Sequence, residues 1–573
     1  MRGVALLAAA MAAFLLVPAT APAATVPARS AADFRDSIGV QTHLSYYDTA
    51  YGDAPRVVRK LDELGVDHVR DGMYANPGWG DWNERYYQAV ELAASHGKRF
   101  LFGMGEPGWR AGTPDELVAA VAGRLRPAVA GLEGPNEYDL FHGGPDWAPE
   151  LRDYQAELYS RVRAEPRLAG VPVVGPSLVY DDRDGQLGSL ARSVDFGNIH
   201  PYTGGLAPSA DLLRGRFDAV SHVFGDRPLF ATEAGFHNAL SATDGQAPVT
   251  EAVAASYLLR TYLEHFRAGI RRTYAYELLD EHPEDANTQP EQHFGLLRND
   301  FSEKPAFAAL RALLELVGRP APVDPTPLDL DLGGETGGVQ RLLLQQADGR
   351  YSLVLWQSAS EYDRDQQRGL TVAPRRVELN LPAAAEVQVA RPTQDGAALR
   401  SLGRRTSVPI DVYADPVVVQ LDFGGPVEAG QPAPGGDSGT AAPVATPAPP
   451  DAACTLSGSG VLLSKMDASA RIAKGDSRTR PVRVAFCSPR PGKVVTELGS
   501  AGRSGNVKHV LASASVSVAA GAAVSLAPQW SKSASARLGG ARPAVRVRFR
   551  PAGARHDIVF GLPLDVTALR RRR

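Results

Sequence analysis

The chain has 573 residues and a net charge of −3, with 44% hydrophobic and 22% charged residues. That is globular composition, and the length implies several domains. Two cysteines are too few to build a cysteine metal site, and there is no His-Glu-x-x-His stretch. No metal and no cofactor are therefore expected. The charge is uneven. From Asp451 to Arg573 there are 21 Lys plus Arg against 6 Asp plus Glu, a net +15, so the remainder carries −18. Solubility alone does not require that division.

Residues 1–23 carry an export signature. Arg2 supplies the positive start, Val4 to Val17 the apolar core, and Ala21-Pro22-Ala23 a small-residue cleavage site. The apolar core falls short of the roughly 20 residues a membrane anchor needs. A secreted or cell-wall-associated protein without a transmembrane segment is expected. In an exported chain, Cys454 and Cys487 suggest one disulfide. The 33-residue loop it would close is worth roughly 3.5–4 kcal/mol in the chain-entropy model. The alternative is two separate buried thiols.

Strand and helix patterns then alternate. Ile38 to Gln41 is a strand. Val57, Val58, Leu61 and Leu64 share a helix face stopped by Gly65. Strands follow at His68 to Arg70, Arg99 to Phe102, Val129 to Glu133, Val171 to Val174, Phe196 to Ile199, Leu229 to Thr232 and Thr273 to Tyr276. Helices are expected over Tyr86 to Ser95, from Thr113 (with Pro114 and Glu116 as a capping box), over Pro149 to Ala164 and Leu212 to Phe224, from Thr250 to Phe266, and over Pro305 to Leu316. Apolar strands alternating with amphipathic helices indicate a parallel sheet covered by helices. The pattern reads as eight strand–helix units and fits an α/β fold of the (β/α)8 TIM-barrel type over residues 33–318. A doubly wound open sheet is the rival, but no Gly-x-Gly-x-x-Gly turn follows the first strand.

Residues 319–424 read as a β-sandwich, with a hairpin signal at Ala347-Asp348-Gly349. Residues 425–451 are a Pro/Gly/Ala-rich linker. Residues 452–573 read as a second, basic β-rich domain. Val545, Val547 and Phe549 alternate there with Arg546, Arg548 and Arg550. This domain is a candidate for binding an anionic cell-surface polymer. Charge alone also fits an evenly cationic surface, and nucleic acid is not expected.

In a (β/α)8 barrel the C-terminal strand ends form the active face. Arg70, Glu106, Asn136, Glu137, His200, Tyr202, Glu233 and Glu277 fall at such ends. Strands four and seven face each other across the mouth, so Glu137 and Glu233 can flank one glycosidic bond. Glu133 is expected to be a structural partner of a basic group. Glu106 and Glu277 stay open between substrate contact and ion pair. Trp79, Trp82, Trp109 and Trp147 lie in active-face loops, where they either stack on sugar or pack the loops. Asp181 to Gly185 lacks the last ligand of a calcium loop and reads as a solvated turn.

Leu132-Glu133-Gly134-Pro135-Asn136-Glu137, Asn198-Ile199-His200-Pro201-Tyr202 and Thr232-Glu233-Ala234-Gly235 resemble the motifs of clan A retaining glycoside hydrolases. This is the (β/α)8 group of cellulases, mannanases and β-xylosidases. His293-Phe294-Gly295-Leu296-Leu297 resembles their closing stretch. The resemblance implies Glu137 as acid/base and Glu233 as nucleophile. Asn136 would contact the sugar 2-hydroxyl, with Arg70 and Tyr202 around Glu233 and His200 lining the sugar subsite. Many such relatives have Trp at Pro135 and Trp after strand eight. Here the sugar platform is expected to be Tyr276 or to come from elsewhere in the chain, and Trp109 is a further candidate contact. The expected activity is hydrolysis of a poly- or oligosaccharide. A transglycosylase on the same barrel, or a non-catalytic carbohydrate-binding protein, are the alternatives.

Overall fold

The computed structural model describes residues 25–424, except Gly143, Pro145, Asp181, Asp182, Asp244, Glu284, Asp285 and Pro320. It also describes eight strands between Val461 and Pro563. The expected signal peptide, the linker, Cys454 and the start of the Asp181 turn lie outside the described residues. The chain divides into two compact units, residues 1–432 and 433–573.

Eight parallel strands form the first sheet: β1 Ile38–Gln41, β2 His68–Gly72, β3 Arg99–Gly103, β4 Val129–Glu133, β5 Val173–Val174, β6 Gly197–Ile199, β7 Leu229–Ala234 and β8 Arg272–Ala275. Their order is β5-β4-β3-β2-β1-β8-β7-β6. A parallel bridge from Val174 to Phe196 joins the two ends, so the sheet closes into the expected barrel. Leu101, Val174, Phe230 and Tyr274, from β3, β5, β7 and β8, meet in one apolar cluster that fills the interior. A polar layer of Arg70, Glu133, Asn198 and Thr232 comes from β2, β4, β6 and β7.

Seven helices cover the barrel: α1 Ala54–Leu64, α2 Gly80–Ser95, α3 Pro114–Ala122, α4 Trp147–Ala164, α5 Ala210–Phe224, α6 Glu251–Ala268 and α7 Pro305–Val317. In α1 the buried residues are Val57, Val58, Leu61 and Leu64, and Gly65 ends it in the left-handed region. Thr113 and Glu116 form the capping box of α3. One expectation needs correction. Among the described residues between β5 and β6 there is one helical turn, Asp184–Leu187, in place of a full helix. Helix α4 begins at Trp147, and of the two readings open for this residue the structure shows packing, its ring buried in a cluster with Leu151 and Leu187.

The second sheet of this unit contains β9 Asp331–Gly334, β10 Val339–Gln345, β11 Tyr351–Gln357, β12 Arg375–Ala390, β13 Arg400–Val412 and β14 Val417–Asp422. The hairpin at Asp348 joins β10 and β11 as expected. Alternate residues serve two cores. Leu343, Leu353, Leu355, Val419 and Leu421 pack within the sandwich, while Leu342, Leu344, Val354, Trp356 and Val418 join the barrel's core. Burial on both faces explains the unbroken apolar runs in β10 and β11. Arg29–Ser30 pairs with β10, so residues before the barrel also belong to this sheet. Helix α6 lies at this junction, and the indole of Trp356 donates to Glu264 Oε1 at 3.0 Å. That position accounts for the continuous burial from Val253 to Phe266.

The second unit holds two four-stranded antiparallel sheets among its described residues. Arg546, Arg548 and Arg550 take alternate positions of one strand, opposite Glu497, Val495 and Lys493. Among the described residues no helix is long and apolar enough to cross a membrane.

Candidate active site

The site is built on the C-terminal ends of β2, β4, β6, β7 and β8. Two glycines set its frame. A Cβ on Gly134 would stand 2.0 Å from Gln155 Oε1, and one on Gly235 would stand 2.1 Å from the Tyr276 carbonyl oxygen. Only glycine lets the chain leave β7 against the backbone after β8, while a Cβ at Gly134 would have to displace the Gln155 amide and would stand 3.0 Å from Pro176 N. Just past Gly134, Glu137 sits in the left-handed region (φ 46°, ψ 38°). Such a conformation is costly for a non-glycine residue and clusters at functional sites. The Glu137 N–H donates to Ser177 Oγ at 3.1 Å, which ties down the turn.

Arg70 is the hub. Its Nε donates to Glu133 Oε2 (2.6 Å) and its Nη2 to Glu133 Oε1 (3.0 Å) and Asn136 Oδ1 (2.6 Å). Its Nη1 donates to Glu233 Oε1 (2.6 Å) and Gln41 Oε1 (3.0 Å). Glu133 is fully buried and further bonded by Asn198 Nδ2 (2.9 Å) and Thr232 Oγ1 (2.8 Å). It is the structural partner expected of it. Because Asn136 spends its amide oxygen on Arg70, its NH2 is the end that can donate to a ligand.

Glu233 also accepts from the Tyr202 hydroxyl at 2.8 Å. Burial pushes its carboxyl upward. His200, Arg70 and the hydrogen bonds from Tyr202 and Arg70 outweigh that and hold it below the ordinary glutamate value. His200 lies between the two glutamates. Its Nδ1 is 2.7 Å from Glu137 Oε1 and 3.6 Å from Glu233 Oε2, and its Nε2 is 2.9 Å from Thr232 Oγ1. Oxygens of Glu137 and Glu233 and a nitrogen of His200 all lie within 4.8 Å of one another.

The proton positions follow from partner chemistry. Thr232 Oγ1 has one proton, and two acceptors within 2.8 Å to receive it, Glu133 Oε1 and Asn198 Oδ1. His200 Nε2 must then donate to Thr232. That leaves one proton to occupy the short contact between His200 Nδ1 and Glu137 Oε1. Burial lowers the His200 pKa, but the charges of Glu233 and Glu137 prevail and raise it above the ordinary imidazole value.

The remaining candidates spread around this centre. Tyr276 is half-buried, its ring edge-on to Phe294 at 5.3 Å, and its hydroxyl donates to Glu291 Oε2 at 3.1 Å. Phe294 in turn meets Tyr202 at 6.0 Å. Trp109 stands in the loop after β3 with 46% of its surface exposed. Trp82 instead begins α2 among Tyr47, Tyr74 and Tyr86. Glu106 is half-buried, and burial raises its pKa.

Glu277 is neither exposed to the cleft nor bidentately paired. It is fully buried, accepts from Tyr51 OH at 2.8 Å through Oε2, and has no hydrogen-bond partner for Oε1 among the described residues. Burial and the nearby Glu281 charge hold its pKa well above the usual carboxylate range. Residues missed at sequence level include Gln41, His43, Asp71 and Thr42. Asp71 is buried beside Arg70 and accepts from Thr42 Oγ1 (2.6 Å) and Leu44 N (2.9 Å). Burial pushes its carboxyl up to about 7, against those hydrogen bonds. Gln41 at the end of β1, and Asp71 one residue past a recognised strand-end arginine, were the signals available.

No protein-family model matches the chain, and no curated protein matches it significantly. Solved structures do. A monomeric β-xylosidase from Caulobacter crescentus CB15 aligns at 15% identity over 70% of this chain and 98% of its own, with a TM-score of 0.46. A family 51 α-L-arabinofuranosidase from Bifidobacterium longum aligns at 12% identity over 70% of this chain and 97% of its own, with a TM-score of 0.43. An active-site mutant of a Rhizomucor miehei β-1,3-glucanosyltransferase aligns at 18% identity over 48% of this chain and 97% of its own, with a TM-score of 0.36. The barrel itself is established by the strand pairings above.

Proposed function

We propose that this chain is an exported, retaining glycoside hydrolase of the clan A type, acting on a poly- or oligosaccharide. The observation that carries this reading is the pair of glutamates within 4.8 Å, one of them held by Arg70 and Tyr202. Retaining enzymes hold their carboxyl groups about 5–5.5 Å apart, whereas inverting ones leave about 6.5–9.5 Å for a water. Glu233, kept ionised, attacks the anomeric carbon as the glycosidic C–O bond breaks. The proton shared by Glu137 and His200 goes to the departing oxygen. Water then attacks the glycosyl ester, gives its proton back to Glu137, and frees Glu233. Asn136 donates to the sugar 2-hydroxyl, and Tyr276 offers a ring face below the sugar.

The test is a screen of aryl glycosides and polysaccharides with the full chain, followed by NMR of the first-formed anomer. Retention of configuration is expected. Inversion would sink the two-glutamate mechanism, and binding without any product across the panel would sink the enzyme reading.

The pH profile is a second expectation. The acid limb of kcat/KM should lie below the ordinary glutamate range, because Glu233 titrates low. The basic limb should lie above the ordinary histidine value, because it reports deprotonation of His200, whose pKa the charges of Glu233 and Glu137 raise. A basic limb below pH 6 would contradict that proton assignment.

The basic C-terminal unit is proposed to hold the enzyme on an anionic cell-surface polymer. The 21 Lys plus Arg against 6 Asp plus Glu from Asp451 to Arg573 support this reading. Retention on such a polymer should fall steeply with added salt.

A further inference from the structure

One cluster beside the candidate catalytic pair has no part in the proposed reaction. His43 follows β1, and Glu277 and Glu281 follow β8. His43 Nε2 lies 3.5 Å from Glu277 Oε2 and 3.9 Å from Glu281 Oε1. One ligand atom from each residue lies within 4.8 Å of the other two. Two of the polar atoms are orphans. Among the described residues, buried His43 Nε2 and Glu277 Oε1 have no hydrogen-bond partner, Oε1 being the other oxygen of the carboxylate whose Oε2 lies 3.5 Å from His43. Glu277 has no exposed surface at all. A buried polar atom left unpartnered costs about 1–3 kcal/mol, so two orphans beside a second carboxylate call for a missing occupant.

The chemistry and spacing of the donors identify its class. Every group can present a lone pair, so the occupant is a cation or a neutral hydrogen-bond donor such as water. An ammonium or a water would hold its acceptors about 2.8 Å away and hence about 4.6 Å from each other. A tetrahedral metal with bonds of about 2.1 Å holds its ligands about 3.4 Å apart. The separations of 3.5 and 3.9 Å from His43 Nε2 are nearer the metal's spacing than the about 4.6 Å of a hydrogen-bonded occupant. One imidazole with two carboxylates suits zinc or a similar transition ion, whereas calcium takes oxygen ligands only.

We propose that His43, Glu277 and Glu281 bind one divalent transition-metal ion of the zinc type at the edge of the sugar cleft. Three protein ligands leave a fourth position for water or a hydroxyl of a bound sugar. The His43 ring is edge-on to Tyr276 at 5.8 Å, which places the ion next to the proposed sugar platform. No contiguous motif announces this site, because its ligands come from opposite ends of the barrel sequence and meet only because β1 and β8 are neighbours. Metal binding does not depend on the reaction assigned above, so the two readings can fail separately.

The test uses the full chain without an affinity tag, stripped with a chelator and dialysed against zinc chloride. Metal content is then read by mass spectrometry and affinity by calorimetry. One equivalent of zinc with a micromolar or tighter Kd is expected, together with a zinc-dependent rise in Tm. His43→Ala and Glu281→Gln should each weaken binding at least tenfold and abolish the Tm rise. Glu277 is deeply buried, so Glu277→Gln is read only if circular dichroism shows a native fold. The two outer variants carry the test without it. Absence of zinc binding, or binding untouched by His43→Ala and Glu281→Gln, overturns the proposal. So does variant-sensitive binding of glucosamine in the absence of zinc binding, which would make the occupant an ammonium group.

Discussion

Glu233→Gln should lower kcat by at least ~10⁴-fold on every substrate the enzyme hydrolyses, with the fold intact. The amide is isosteric but cannot form the glycosyl ester. Arg70 keeps its two bonds to Glu133, so the buried guanidinium does not lose its counter-charge. Glu137→Gln should behave differently. It removes proton delivery, an effect of about 10²–10⁴-fold. The loss in kcat/KM should be large for alkyl or sugar leaving groups and small for a dinitrophenyl group, which departs without a proton, while kcat on that group still falls because Glu137 is also the base for the attacking water. Steady-state kinetics on a leaving-group series separates the two. If both variants lose activity equally across the series, the roles assigned to the two carboxylates are wrong. If either keeps full activity on all of them, that residue is not catalytic.

The barrel was readable because its strands are buried on both faces and its helices on one. Period and punctuation therefore changed together at each boundary, as at Leu64-Gly65 and Thr113-Pro114. The fifth unit was not readable in the same way. One turn at Asp184–Leu187 does the work of a helix, and four residues carry no periodicity. The packing of Trp147 stayed open for a related reason. An aromatic at a helix start looks like a loop residue until the cluster of Leu151 and Leu187 shows which way it packs. The contribution of Arg29–Ser30 to the second sheet could not be read locally, since its partner β10 lies over 300 residues away.

The candidate site was legible where one strand end carries two functional groups, as with Asn136-Glu137 and His200-Pro201-Tyr202. It was not legible where a group acts through a neighbour on another strand. Gln41, Thr42 and Asp71 support Arg70 and its surroundings from the ends of β1 and β2, and their importance appears only once those strands are paired. His43 is the extreme case. A single histidine in a loop reads as ordinary until Glu277 and Glu281 arrive beside it from β8.

Arg70→Met tests how the site is held together. Arg70 is buried and donates to four different side chains, two of them carboxylates. Removing it leaves Glu133 and Glu233 buried without their shared counter-charge. Breaking a buried pair in this way costs about 3–5 kcal/mol, so the urea midpoint of the barrel should fall markedly. Arg70→Lys keeps the charge but cannot fork between Glu133, Asn136, Glu233 and Gln41, so it should recover only part of that loss. The second readout is kinetic. Arg70 is one of the groups that hold Glu233 below its ordinary value, so its loss lets burial push that carboxyl back up. The acid limb of kcat/KM should therefore move to higher pH in Arg70→Met and less in Arg70→Lys. A merely structural arginine would lower the urea midpoint and leave the acid limb where it was. A midpoint that does not move would show that the five hydrogen bonds offset no more than the cost of burying the ion.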